Sequence, residues 1–109
     1  MKIETLETIL NSIKNQPWDF AIYMPHGVPW NEHTKCAVLD PDDFENEEDP
    51  ERPKFATENN LHYALGIELT KSIIEYALAQ KPQATAHQLA SAFTYYYDND
   101  AYLDWAKTE

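Results

Sequence analysis

The chain has 109 residues, 43% of them hydrophobic, and carries 19 acidic against 8 basic side chains for a net charge of -11. That length and apolar content suit one domain built around a modest core. The charge repels nucleic acid and anionic membrane, which excludes both as expected partners and favours a basic protein surface instead.

The amino-terminal stretch MKIETLETILNSIKN scatters Ile3, Leu6, Ile9, Leu10 and Ile13 among acids, without the unbroken apolar block of an export signal. Their three- and four-residue spacing, with Glu4 and Glu7 early and Lys14 late, predicts a helix from about Ile3 to Lys14. Pro17 stops it. DFAIYM (Asp19 to Met24) and CAVLD (Cys36 to Asp40) read as strands joined by PHGVPWNEHTK, a long hairpin connection with an unusual apolar pair, Val28 and Trp30. The lone Cys36 excludes an internal disulfide, fits a reducing compartment and is expected to pack in the core from the second strand. No run approaches the roughly 20 apolar residues that span a bilayer. The cytoplasm is the expected location.

The next stretch, Asp40 to Pro53, holds eight acidic residues among fourteen and one opposing base, Arg52. Without it the body carries only -4, so most of the charge excess sits in this connector, taken as 40-54. LHYALGI (Leu61 to Ile67) alternates Leu61, Tyr63, Leu65 and Ile67 against His62, Ala64 and Gly66, the pattern of a third strand with one buried face. Leu69, Ile73, Tyr76 and Ala77 then mark a helix that ends before Pro82. Thr85 and Gln88 have capping-box spacing, and Leu89, Ala92, Phe93 and Tyr96 form the inner face of the helix that follows. DNDAYLDWA is read as a last short helix beginning near Asp98 or Asp100. The expected architecture is α+β: a small antiparallel sheet of about three strands with three to four helices on one face, in a single domain.

Spacing argues against two metal sites. Asp40, Asp42 and Glu51 fall at positions one, three and twelve of a calcium loop, but position five is Phe44, position six is Glu45 and three prolines interrupt. His26, His33 and Cys36 lack the second Cys/His pair of a structural zinc site. No glycine-rich phosphate loop, GxSxG elbow, HExxH helix or paired CxxC occurs, so no catalytic residue, metal or cofactor is assigned.

Binding is the better-supported chemistry. Asp42, Asp43, Glu47 and Glu48 are the steering charges, and Trp30, Phe44, Tyr97 and Tyr102 are the anchors, with Asp98 and Asp100 beside the tyrosines. The segments PWDFAIYMP, CAVLDPDD, YALGI, QKPQAT and AFTYYYDNDAY together resemble short bacterial proteins of toxin-immunity loci over most of the chain. That resemblance implies a cytoplasmic immunity protein that neutralises a cognate toxin domain, of contact-dependent inhibition or another polymorphic toxin system, and it supplies no binding residues. The competing expectations are an acidic adaptor or nucleic-acid mimic and a small carboxylate- or metal-dependent enzyme.

Overall fold

Thr5 divides the amino-terminal segment. Its hydroxyl accepts the Thr8 amide at 3.4 Å and caps helix α1 (Leu6–Asn11), while Glu4–Thr5 stay extended as strand β1. The helix therefore begins three residues later than its apolar spacing predicts. The reason is tertiary: the first helical amides, Leu6 and Glu7, donate to the carbonyls of Thr34 (2.9 Å) and Glu32 (3.0 Å) across the chain. At the other end the Ser12 hydroxyl donates to the Thr8 carbonyl at 2.9 Å, and a 3-10 turn (Ile13–Asn15) leads out.

A computed structural model describes residues 2–44 and 54–108. Strands β2 (Ala21–Pro25), β3 (Lys35–Leu39) and β4 (Leu61–Gly66) join β1 in an antiparallel sheet of order β1-β3-β2-β4. The fold is α+β, with one more strand than the sequence suggests. Ile22, Met24 and Cys36 face a core shared with Leu6, Ile9, Ile73 and Phe93 from the helices. Alternation sends Ala21, Tyr23, Ala37 and Leu39 to the opposite face.

That second face is also covered. The short helix α2 (Lys54–Glu58) lays Phe55 and Ala56 over it, so the helices are not confined to one side as expected. The strict alternation of LHYALGI fails for a related reason. Ile22 pairs with Leu65 and Tyr23 with Tyr63, which leaves Ala64 as an extra residue in β4. Ala64 and Leu65 are consequently both buried, whereas Tyr63 is 50% exposed.

Gly66 passes directly from β4 into α3 (Ile67–Gln80), and the buried Thr70 hydroxyl is satisfied by the Gly66 carbonyl at 2.8 Å. The Thr85 and Gln88 side chains form the predicted reciprocal cap at the start of α4 (Ala86–Asn99). Helix α4 packs against both α1 and α3. It runs through Asp98 and closes at Asp100, whose φ of 53° is left-handed. The last helix, α5 (Trp105–Thr108), thus starts later than the sequence suggests. Gln80 holds that segment by donating to the Leu103 carbonyl and accepting the Trp105 amide.

Cys36 lies in the core with no exposed surface, and burial followed by the facing Glu4 pushes its thiol pKa up to about 12. Its thiolate population is thereby cut about a thousandfold relative to an ordinary thiol. A thiol reagent at pH 8 is expected to leave the native protein unlabelled over minutes and to label it fully in denaturant. Stoichiometric labelling of the folded chain would contradict this burial.

Candidate functional site

The connection between β2 and β3 has to reverse direction while keeping Trp30 near the sheet. Gly27 makes the first move, with a φ of 72° that a side chain would strain. The chain then returns so that the Trp30 indole N–H donates to the Pro25 carbonyl at 3.0 Å, closing the loop on its own start. Farther on, Asn31 and Thr34 bond each other, through Asn31 N–H to the Thr34 hydroxyl (2.8 Å) and Thr34 N–H to the Asn31 carbonyl (3.1 Å). Those bonds present the Glu32 and Thr34 carbonyls to α1.

Trp30 packs on α4, with its ring 4.7 Å from that of Tyr97 and 6.0 Å from that of Phe93. His62 projects from β4 on the same side of the sheet as Met24, its pairing partner. Its Nε2 lies 2.9 Å from the Tyr97 hydroxyl, and its ring stacks on His26 at 3.9 Å. The result is a cavity of about 340 Å³ between the hairpin and α4. Trp30, Tyr97, His26 and His62 line its walls, Val28 and Pro29 its hairpin rim, and Thr94 and Asp98 its helical rim. A second hollow, lined by Ile3, Thr34, Lys35, Asn59 and Leu61, shares Pro25 and Val28 with the first. Val28, 53% exposed, is thus the ridge between two hollows.

Residues 3–105 match a family model described as a domain of unknown function, DUF7716. The chain belongs to the DUF7716 family. No curated protein and no solved structure matches it. The matched span takes in the hairpin, β4 and α4, so every element that builds the cavity is part of the DUF7716 domain.

Within this DUF7716 domain the predicted site residues separate into three places. Trp30, Tyr97 and Asp98 come together at the cavity. Tyr102 lies apart, stacked on Tyr76 at 4.9 Å and in contact with Tyr96, and Asp100 is the exposed cap of α4. Asp42 follows β3, whose Leu39 pairs with Ala21, whereas the cavity adjoins Pro25 at the other end of β2. The described start of the acidic connector and the cavity therefore occupy opposite ends of the sheet. Asp42 is exposed, and its amide donates to the Asp40 carboxylate at 2.9 Å. Glu47 and Glu48 lie outside the described residues, as do the side chains of Asp43 and Phe44.

The candidate zinc ligands do not meet. Cys36 is sealed in the core, His33 faces Glu7 at 4.0 Å and His26 stacks on His62. Among the described residues no three His, Cys, Asp or Glu side chains converge as metal ligands would.

His62 is the site residue that sequence reasoning missed, and His26 figures there only as a zinc ligand. Sequence alternation assigns His62 to the outer face of a one-sided strand, whereas its pairing with Met24 sets it on the face of the main core, at the sheet end where Trp30 and Tyr97 meet it. Burial, then the adjacent His26, lowers the His62 pKa below its ordinary value of 6.5, with the Met24 backbone acting in the opposite direction. Its Nδ1 is buried and forms no hydrogen bond with another side chain among the described residues, and the Met24 backbone is the polar group that acts on it. Glu32 shows the reverse effect at the hairpin base. Burial opposes its ionisation, but its own backbone amide, the bonded His87 at 3.2 Å and the charge of His33 together keep its pKa low.

Because folded His62 resists protonation, the unfolded chain binds the extra proton as pH falls through 6.5. The stability contributed by neutral His62 is complete above pH 6.5 and is lost as pH drops toward its lower folded pKa. His62→Gln, which keeps a polar group near Tyr97, is expected to flatten the decline in unfolding free energy between about pH 7.5 and 5.5. Equal slopes for the two proteins in urea titrations would contradict the assignment.

Proposed function

We propose that this DUF7716 chain is an immunity-type binding protein that neutralises a basic bacterial toxin domain in the cytoplasm. The observation that carries the reading is the exposed Val28 ridge with Trp30 and Tyr97 beside it, on a chain of net charge -11. An apolar and aromatic patch of this kind supplies the desolvated anchors from which most binding energy comes. The acid excess acts earlier, by drawing a basic surface in and raising the association rate. Separation of Asp42 from the cavity suits that division: long-range steering does not require the charges to sit inside the contact. No helix among the described residues is long and apolar enough to cross a membrane, which is compatible with action in the cytoplasm. The resemblance to proteins of toxin-immunity loci points the same way.

The test starts with affinity capture from the native cell, followed by reconstitution of the purified pair. The reading predicts a basic partner whose toxic activity is abolished by one equivalent of this chain. Changing Asp42, Asp43, Glu47 and Glu48 together to Asn and Gln is expected to slow association about tenfold at low salt, with the difference shrinking as ionic strength rises. A partner whose activity is untouched by the chain, or an association rate indifferent to both charge and salt, would overturn the proposal.

A further inference from the structure

We infer that the cavity between the hairpin and α4 is a receptor for an arginine side chain of the partner. The inference rests on the binding role proposed above and names the group that role would recognise. At about 340 Å³ the cavity lies near the lower end of the roughly 300 to 1,000 Å³ typical of ligand sites, a size suited to one side chain rather than a large cofactor.

Its chemistry selects for a donor-rich cation. Trp30, Tyr97 and the stacked pair His26 and His62 bring four π systems to the lining, and Trp is the strongest cation–π partner. Several hydrogen-bond donors of the lining are already committed. The Trp30 indole N–H goes to the Pro25 carbonyl, the His26 amide to the Asn60 carbonyl at 3.2 Å, and the Thr94 hydroxyl to the Ala90 carbonyl at 2.9 Å. Pro25 and Pro29 have no amide hydrogen to give. What remains at the helical rim is acceptor capacity: the Thr94 oxygen, whose hydrogen is engaged, and the exposed Asp98 carboxylate.

A planar group with five N–H donors and a fixed positive charge matches that set. Guanidinium stacks on aromatic faces and pairs with a carboxylate through two parallel bonds, which the compact, strongly hydrated lysine ammonium does not do. The charge of the whole chain attracts the same group.

The test uses acetyl-arginine-methylamide, with the uncharged isostere acetyl-citrulline-methylamide as its control, in NMR titrations that follow the indole N–H signals of all three tryptophans. Saturable shifts are expected at Trp30 and at the His62 ring, with Trp18 and Trp105 unmoved, and citrulline is expected to bind about fivefold more weakly. Asp98→Asn, a change at an exposed helical position, should weaken arginine toward the citrulline level and leave citrulline unchanged. Equal responses to arginine and citrulline, shifts of similar size at all three tryptophans, or tighter saturation by adenosine as a neutral stacking ligand would overturn the inference. If the captured toxin is neutralised with undiminished affinity by the Asp98→Asn and Trp30→Phe variants, the immunity role stands and the arginine receptor falls. Arginine binding at the cavity without any neutralised partner would uphold the receptor and remove the immunity role.

Discussion

The hairpin connection between β2 and β3 is held at three points, and the candidate site exists because of them. At its start Trp30 closes on the Pro25 carbonyl, while His26 and Asn60 bond each other through His26 N–H to the Asn60 carbonyl and Asn60 side chain to the His26 carbonyl. At its end the Thr34 and Glu32 carbonyls take the first two amides of α1. On its flank Glu32 pairs with His87 in the first turn of α4. A connection of this length in water would lose its conformation to chain entropy. Here each fastening satisfies a backbone or charged group that would otherwise need solvent, so the loop becomes a wall against which α4 can form a cavity.

The same fastenings fit the proposed division of labour between attraction and contact. Acidic charge is concentrated after β3, and the described beginning of that segment lies at the end of the sheet away from the cavity. Long-range potential needs no fixed geometry, whereas an aromatic contact loses much of its value when its rings are not held in place. The hydrogen bonds that fix the hairpin are gathered at the aromatic end. His62 sits at the join of that arrangement, its Nδ1 buried and its ring stacked on a second imidazole.

Much of this is readable from local pattern. The capping box of Thr85 and Gln88 needs only two residues of one helix, and the Cys36 strand needs only a short apolar run, so both are found where spacing puts them. Trp30 stands out as a large apolar residue among turn formers. Three features are not legible because their causes are distant in sequence. The start of α1 is set by carbonyls about 25 residues away, in the hairpin. The role of Tyr63 depends on the extra residue Ala64 and on α2 covering the second face of the sheet. His62 is a cavity residue only through Tyr97, 35 positions later, and Trp30. Tyr97 and Tyr102 look equivalent in a run of tyrosines, yet the helix end at Asp100 sends them to different surfaces.

Those two surfaces give the account its most direct test, amide hydrogen exchange of the chain alone and in complex with its captured partner. Partner binding is predicted to slow exchange at residues 26–31 of the hairpin and 94–98 of α4, leaving the α3 and C-terminal segments around Tyr76 and Tyr102 unchanged. Protection confined to residues 72–80 and 100–105, with the hairpin exchanging as before, would contradict the claim that the Trp30 cavity is where this protein meets its partner.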